Sequence, residues 1–186
     1  MSLKIRIKHL VGYIRGKLRG IKSTRNIYIG KDVKILGGSK ISIGKDVCIR
    51  PHVDLWCAGE RIAIGDGADI GERCRISIAN SLDIGEKVLI SPNVYITDCD
   101  HAYMSVGIPI MDQGIVQNNY RVIIKDDAYI GINAVIVGDV TIGKGSVIGA
   151  NSVVTKSIPD YCVAVGSPAR VIRKYDVITN EWKRCI

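Results

Sequence analysis

The sequence predicts an all-β fold in which a short strand and a corner repeat many times along the chain. An aliphatic residue recurs every six positions from Ile29 onward, often followed by Gly, with a small residue four places later. A period of six fits neither the 3.6-residue turn of a helix nor the two-residue alternation of an isolated strand. The chain also contains 20 Gly and no Phe, which indicates a narrow interior filled by branched aliphatic side chains instead of aromatic rings.

The repeat is clearest in the runs Ile-Gly-Asp-Gly-Ala-Asp at 64–69 and Ile-Gly-Lys-Gly-Ser-Val at 142–147. Where Gly follows an anchor it gives the backbone extra conformational freedom, and the small residue keeps the interior narrow. The small residues include Val47, Ala68, Val88, Ala134 and Ser146, and the anchors are Ile29, Ile35, Ile43, Ile49, Leu55, Ile64, Ile70, Ile76, Ile84, Ile90, Ile96, Ile124, Ile130, Ile136, Ile142, Ile148 and Val154.

This pattern resembles the hexapeptide-repeat acyltransferase family, in which three six-residue sides make one turn of a left-handed parallel β-helix. The resemblance covers residues 29–158, and the handedness is what the family implies, because left-handed crossovers are otherwise rare. If three anchors make one turn, each longer gap between anchors comes directly after a third-side anchor. These third-side anchors are Ile35, Leu55, Ile76 and Ile96. Insertions at one corner keep stacked strands in register.

We expect three segments along the chain. Residues 1–26 form a basic amphipathic arm, residues 27–158 form the β-helix with a long inserted loop at 97–122, and residues 159–186 cap the last turn. The capping segment is expected to contain a short helix that includes Tyr175 and Trp182.

The positive charge of the protein is concentrated in the arm. Residues 1–26 carry eight Lys or Arg and no Asp or Glu, whereas the rest of the chain carries 18 of each sign. Helical spacing of its aliphatic residues predicts a helix, although three glycines argue against a rigid one. It could cap the first turn or rest on an anionic membrane surface. No nucleic-acid binding is expected, because the rest of the chain is neutral overall and does not extend the basic surface of the arm. The aliphatic residues that show this helical spacing are Ile7, Leu10, Val11, Ile14, Leu18 and Ile21.

The cysteine pattern and the absence of long apolar runs predict a cytoplasmic protein, peripheral to the inner face of the membrane if the arm binds there. No run resembles a signal peptide or spans a bilayer. The six Cys form no CxxC pair and have no zinc-ligand spacing, so we expect reduced thiols and no metal. Cys74 occupies a core position and is expected to be buried.

Of the three histidines, His101 alone lies in the long loop, between Asp98 and Asp100. Loops of this length inside compact repeats are usually functional. An imidazole can accept a hydroxyl proton near neutral pH, and a neighbouring carboxylate can orient the ring. Sequence adjacency alone still favours a solvated loop histidine. His9 and His52 are expected to be solvated surface residues.

The loop sequence Thr-Asp-Cys-Asp-His-Ala-Tyr at 97–103, followed by Pro-Ile at 109–110, resembles the catalytic loop of sugar O-acetyltransferases related to galactoside and maltose acetyltransferases. The resemblance implies that His101 is the general base, with Asp98 preferred over Asp100 as its orienter. It also implies direct transfer from acetyl-CoA, and a homotrimer in which the loop of one subunit meets the donor groove of another.

The last turns resemble the CoA-binding end of the same enzymes, over residues 152–156 and 166–173. In that resemblance a backbone N–H faces the thioester oxygen, a groove holds the pantetheine arm, and cations meet the phosphates. The implied residues are Gly131 and Ile132 at the thioester oxygen, Ala150 and Thr155 along the groove, and Lys156, Arg170 and Arg173 at the phosphates.

The sequence therefore predicts acetyl transfer to a hydroxyl of a sugar or a polysaccharide precursor. Galactoside itself is a poor candidate acceptor, because Tyr129 and Ile132 replace the Trp and Ser of the galactoside branch and its sugar-binding Asn is not evident at 72–75. N-acetylation of a nucleotide-linked amino sugar and a non-catalytic structural β-helix remain alternatives. A metal enzyme like the carbonic anhydrases of this fold is disfavoured, because His9 and His52 are badly placed to join a third ligand.

Overall fold

The computed structural model describes residues 3–24 and 26–185. Helix α1 (Leu3–Leu18) is followed by a parallel β-helix of six complete turns and a partial seventh, each complete turn contributing one short strand to each of three sheets. The strands, turn by turn, are β1 (Lys22–Ser23), β2 (Tyr28–Ile29) and β3 (Lys34–Leu36); β4 (Ile41–Ile43), β5 (Cys48–Ile49) and β6 (Asp54–Cys57); β7 (Arg61–Ile64), β8 (Asp69–Ile70) and β9 (Arg75–Ile78); β10 (Ser81–Ile84), β11 (Leu89–Ile90) and β12 (Tyr95–Thr97); β13 (Arg121–Ile124), β14 (Tyr129–Ile130) and β15 (Val135–Val137); β16 (Val140–Ile142), β17 (Val147–Ile148) and β18 (Val153–Val154).

Three further strands close the C-terminal end, β19 (Cys162–Gly166), β20 (Ala169–Asp176) and β21 (Glu181–Arg184). A 3₁₀ helix (Gly38–Lys40) joins the first two turns, and the short helix α2 (Ile110–Gln113) lies between β12 and β13.

We name the three sheets by their order within a turn. Side 1 holds β1, β4, β7, β10, β13 and β16; side 2 begins at β2 and ends in β17, β19, β20 and β21; side 3 holds β3, β6, β9, β12, β15 and β18.

The register between turns is strict, because each aliphatic anchor pairs with the anchor of the next turn. Ile84, for example, lies between Ile64 and Ile124 on side 1, and Ile96 lies between Ile76 and Ile136 on side 3. All the predicted anchors are buried except Ile35, which is half-buried and packs against the core. Its strand β3 is the edge of side 3, with no strand below to complete the packing. The predicted fold class is confirmed.

The predicted small residues and Cys74 are also buried, and burial raises the pKa of the Cys74 thiol to about 11. This thiol donates to the carbonyl oxygen of Ser91 at 3.1 Å. Cys74 is therefore a packed core residue, as predicted.

Helix α1 packs on the first turn through its glycines. Gly12 and Gly16 are buried, and a methyl group on Gly12 would lie 2.7 Å from the Ile27 carbonyl oxygen and from the Ile29 backbone nitrogen. Arg15 Nη1 donates to the carbonyl oxygen of Ile29 at 3.1 Å and fixes the helix against the coil. The helix thus caps the first turn, one of its two predicted roles.

The face of α1 that meets the coil differs from the expected one. Of the six aliphatic residues singled out above, Ile21 is buried and the other five are exposed. Glycine has no side chain, so it lets the helix backbone approach the coil backbone closely, which an aliphatic face could not do. The five exposed residues are Ile7, Leu10, Val11, Ile14 and Leu18.

The predicted C-terminal helix is wrong, because Tyr175 and Trp182 lie on the antiparallel hairpin of β20 and β21. Their rings pack edge-to-face across the hairpin with centroids 5.5 Å apart. The turn is closed by Asp176, whose Oδ1 accepts the backbone N–H groups of Ile178 and Thr179 at 2.8 and 3.2 Å. Cross-strand aromatic pairing and an Asp-centred turn both favour a hairpin over a helix.

No helix among the described residues is long and apolar enough to cross a membrane.

We predict that Gly12→Ala loosens α1. Helix propensity alone would make this change favourable by about 1 kcal/mol, but the added methyl group would press on backbone atoms that cannot move aside, at a cost of about 1–3 kcal/mol. Hydrogen exchange of the α1 amides is expected to accelerate and the thermal midpoint to fall. Leu18→Ala, at an exposed position of the same helix, is the control and should change neither. Slower exchange in Gly12→Ala would contradict this packing.

Candidate active site

The long loop leaves side 3 after β12 and is itself folded. His101 forms an antiparallel bridge with Ile115. Next to this bridge, the Ala102 N–H donates to the Gly114 carbonyl at 3.0 Å, and the Val116 N–H donates to the Asp100 carbonyl at 2.9 Å. The outgoing and returning arms of the loop are thus paired on both sides of His101, which fixes the backbone position of the histidine.

The tip of the loop is held by one side chain, Gln113. Its Oε1 accepts the Ser105 N–H at 3.1 Å, and its Nε2 donates to the carbonyls of Ser105 and Ile108 at 3.1 and 2.7 Å. These bonds give the excursion a defined shape although it lies outside the coil.

A cleft of about 430 Å³ lies between the loop and the outer surface of side 3. The loop contributes one wall, made by Cys99, His101 and Ile115. The coil contributes the floor through outward-facing residues of turns one to four, which are Leu36, Asp54, Trp56, Arg75, Ser77 and Tyr95. A histidine therefore faces a groove that combines an indole ring with charged and hydroxyl groups.

The polar groups on the floor are open to a ligand. Arg75 and Asp54 are neighbours in register on adjacent strands. Within the described part of the chain, however, no carboxylate lies within 4.0 Å of the Arg75 guanidinium and no cation within 4.0 Å of Asp54. Arg75 Nε donates to Ser77 Oγ at 3.3 Å. The cleft thus offers donors and acceptors that are not consumed by ion pairs.

Asp98, the predicted orienter of His101, supports the backbone of the preceding turn. Its carboxylate is 1% exposed and accepts three backbone N–H groups, from Ala79 at 2.6 Å, Asn80 at 2.8 Å and Ser81 at 3.0 Å. These bonds fix the corner from which the loop departs. The role of Asp98 toward the imidazole stays a prediction that no contact here supports.

The alternative carboxylate, Asp100, also does not reach the imidazole. Its Oδ1 accepts the backbone N–H of His101 at 2.8 Å, so it stabilises the backbone of the loop. The His101 side chain is exposed, and its ring makes no hydrogen bond to any residue that the structure describes.

Cys99 lines the cleft beside His101, and its thiol is a poor nucleophile. Burial raises the pKa of this thiol, and the nearby carboxylates of Asp98 and Asp100 raise it further. The reactive form of cysteine is the thiolate, which a raised pKa makes scarcer near neutral pH. This supports acyl transfer without a covalent intermediate on Cys99.

The predicted thioester-oxygen site lies at the corner between sides 2 and 3. The Gly131 N–H is already used, because it donates to the Ile148 carbonyl at 2.8 Å in the ladder between turns. In the described part of the chain the N–H groups of Ile132 and Ala150 have no acceptor. A side chain at Gly131 would collide with the Ala150 backbone nitrogen, 2.6 Å from the methyl position, so Gly131 keeps this corner open. The Ile132 N–H is the available donor of the predicted pair.

The remaining predicted CoA residues are exposed and lie at two other places. Thr155 and Lys156 follow β18 at the end of side 3, whereas Arg170 and Arg173 lie on β20. No carboxylate of the described residues is within 4.0 Å of Lys156 or of either arginine. All three cations are therefore available to phosphate groups.

The other two histidines lie apart from this cleft. His52 is exposed, as predicted, with Nδ1 3.7 Å from Asp32 Oδ2. The expectation of a solvated surface residue is wrong for His9, which is half-buried, with its Nδ1 2.7 Å from Asn26 Oδ1. Among the residues that the structure describes, no three His, Cys, Asp or Glu side chains cluster closely enough to hold a metal ion.

Comparison with known proteins places the chain in a family. Residues 121–156 match the bacterial transferase hexapeptide repeat, and residues 61–98 match the hexapeptide repeat of succinyl-transferase. WbbJ of Escherichia coli K12, assigned to lipopolysaccharide biosynthesis as an O-acetyl transferase, is 32% identical over 99% of this chain and 100% of its own length. The chain belongs to the hexapeptide-repeat acetyltransferases.

Other relatives of this hexapeptide-repeat acetyltransferase match over shorter parts. The galactoside O-acetyltransferase of Lactococcus lactis is 34% identical over 71% of this chain and 62% of its own length. The Mycobacterium tuberculosis protein Rv3034c, named as an acetyltransferase, is 33% identical over 79% of this chain, and the match spans 49% of that protein. The predicted family is confirmed.

A solved structure of the same fold contains an acyl-CoA. AntD, an N-acyltransferase of Bacillus cereus in complex with dTDP and 3-hydroxybutyryl-CoA, superposes with a TM-score of 0.74 at 27% identity, covering 86% of each chain. Together with the relatives above, this supports the predicted acetyl-CoA dependence of the present acetyltransferase.

The cleft floor of this acetyltransferase was not predicted from its sequence. Asp54, Trp56, Arg75 and Tyr95 appear as ordinary outward positions between core anchors. The signal that could have identified them is positional: they flank third-side anchors, and the long loop leaves from that same side. A loop folding back on its own side must face these residues.

We predict that Asp98→Asn destabilises the fold. An amide has one acceptor oxygen, and its NH₂ group would face backbone N–H donors, so at least one buried bond to Asp98 is lost. The expected loss of about 3 kcal/mol corresponds to a thermal midpoint lower by roughly 6–12 °C. Asp100→Asn is the matched control, because Asp100 accepts only one N–H, at an exposed site. Equal midpoints for the two variants would show that the three bonds are not needed.

Proposed function

We propose that the protein transfers an acetyl group from acetyl-CoA to a hydroxyl of a sugar or polysaccharide precursor, with His101 as the general base. The observation that carries this proposal is the position of His101 in the wall of a cleft whose floor holds Trp56, Arg75 and Asp54. A flat indole ring and unpaired polar groups match the apolar face and the hydroxyl rim of a sugar ring.

The proposed reaction needs one proton carrier. His101 accepts the proton of the acceptor hydroxyl as that oxygen attacks the thioester carbonyl carbon, and the carbonyl oxygen becomes an oxyanion. When the tetrahedral intermediate collapses, the carbon–sulfur bond breaks and the imidazolium returns the proton to the CoA sulfur. The products are the acetyl ester and CoA, with no acyl group on the protein. The raised pKa of the Cys99 thiol is consistent with this direct route.

The donor in this proposal lies along the last turns. The Ile132 N–H has no partner in the described part of the chain and would donate to the oxyanion, an interaction that is strong in a site shielded from water. Ala150 and Thr155 would line the pantetheine groove. Lys156, Arg170 and Arg173 would meet the phosphates of CoA, which supply opposite charge.

We further propose that the working unit is a homotrimer in which the loop of one subunit meets the donor groove of another. The loop tip supports this, because its apolar side chains are more than half exposed in a single chain. An apolar patch of this kind usually marks a contact with another protein surface. The residues are Tyr103, Met104, Val106, Ile108, Ile110 and Met111.

A second candidate function is N-acetylation of an amino sugar carried on a nucleotide. The observation that favours it is the likeness to AntD, which is an N-acyltransferase seen with dTDP. Arg75 could meet a nucleotide phosphate in the same cleft. The general base and the donor site would be the same, so only the acceptor separates the two functions.

The first test is His101→Gln, which removes the base. Transfer of labelled acetyl groups from acetyl-CoA to a panel of neutral sugars, oligosaccharides and nucleotide-linked amino sugars is measured. We expect kcat to fall about 10²–10⁴-fold with the KM for acetyl-CoA unchanged. His52→Gln, an exposed histidine outside the cleft, is the control. A wild-type rate in His101→Gln would refute the mechanism, and a panel in which amino sugars alone react would favour the second function.

A second test concerns the acceptor. Trp56→Ala removes the flat floor of the cleft, so we expect the KM for the acceptor to rise roughly tenfold or more, while the KM for acetyl-CoA stays the same. Trp182→Ala, on the C-terminal hairpin, is the matched control. A change in the KM for acetyl-CoA alone would show that the acceptor binds outside this cleft.

A further inference from the structure

The outer face of α1 is an aliphatic stripe that none of the residues described by the structure covers. Ile7, Leu10, Ile14 and Leu18 are 53%, 55%, 48% and 82% exposed, and Val11 between them is 39% exposed. Their spacing of three and four residues places them on one side of the helix. A contiguous apolar patch of this kind on a single helix marks a contact surface.

The stripe points away from the coil because the opposite face is fixed. Gly12 and Gly16 lie on the other side of the helix, and Gly16 sits over the side chains of Ile27 and Ile29. Arg15 is bound to two backbone carbonyls of the first turn at 3.1 Å. The helix therefore cannot rotate to bury its aliphatic side without losing these contacts. The exposure of the stripe is built into the packing.

Positive charge borders the stripe on both flanks. Helical geometry places Lys8 on one flank and Lys17 on the other, and both side chains are exposed. Arg19 and Lys22 follow directly, also exposed. The first acidic residue of the chain is Asp32, so the flanks carry no compensating negative charge from their own segment.

We propose that this stripe docks the protein on an anionic lipid bilayer, with α1 lying in the plane of the surface. The aliphatic side chains would enter the boundary between headgroups and acyl chains, while the lysines and arginines would meet lipid phosphates. Charge complementarity favours lipid over a second copy of the chain, because two such helices face to face would bring like charges together. This proposal does not depend on the chemistry of the cleft.

The test is co-sedimentation of the full chain with lipid vesicles. Vesicles of phosphatidylglycerol and phosphatidylcholine in equal amounts are expected to bind the protein, pure phosphatidylcholine vesicles much less, and added salt should weaken binding. Ile14→Asp and Leu18→Asp should each weaken binding more than tenfold. The double variant Lys8→Gln with Lys17→Gln should weaken binding about fivefold for each charge removed. Ile178→Asp, at an exposed site on the C-terminal hairpin, is the control and should bind like wild type.

Two further measurements keep the result interpretable. Thermal midpoints should be unchanged in the stripe variants, because the mutated side chains are exposed, and acetyl transfer to a water-soluble acceptor should also be unchanged. Failure of the wild-type chain to bind anionic vesicles, or equal binding by Ile14→Asp, would overturn the proposal. A change in the mass of the assembly on mutation of the stripe would also overturn it, by showing that the face is a contact between copies.

Discussion

The structure depends on the backbone ladder between equivalent positions of successive turns. Each turn donates to the next at a fixed register, as in the bonds from Leu89 to Ala128, from Tyr95 to Ala134 and from Gly131 to Ile148 at 2.8–3.0 Å. A one-residue slip would turn every anchor outward. The ladder therefore keeps the core continuous, and it allows extra residues only at corners where no strand is interrupted.

The active-site features follow from this constraint. An insertion at the corner after side 3 must project from that side, and the paired arms of the loop place His101 over the strands it has just left. Asp98 anchors the departure point through three bonds to the previous turn. The same ladder uses the Gly131 N–H and leaves the Ile132 N–H without an acceptor among the described residues. A rigid coil thus presents the loop histidine, the cleft floor and the corner at Ile132 without moving its core.

The six-residue period was sufficient to predict a coil of stacked strands, the anchors and the turn that carries the loop, because each depends on local spacing. The handedness of the coil came from the family resemblance. The period could not predict features that depend on which parts of the folded chain contact each other. The aliphatic spacing in the arm predicts a helix but not that Gly12 and Gly16, the weakest helix formers in it, make the contact. Asp98 and Asp100 look equivalent in sequence, and only the fold shows that one carboxylate is buried against the preceding corner. Trp56 and Arg75 become site residues only when the loop folds back.

In the proposed mechanism, the cleft wall at His101 and the corner at Ile132 form one reaction centre. A crystal structure of the protein with a non-hydrolysable acetyl-CoA analogue tests this most directly. We expect the carbonyl oxygen of the analogue to lie about 3 Å from the Ile132 nitrogen. The imidazole of His101, supplied by a neighbouring subunit, is expected to face the carbonyl carbon across a gap wide enough for one hydroxyl. An analogue bound with its acetyl group away from every His101 in the assembly would show that the two places do not form one reaction centre.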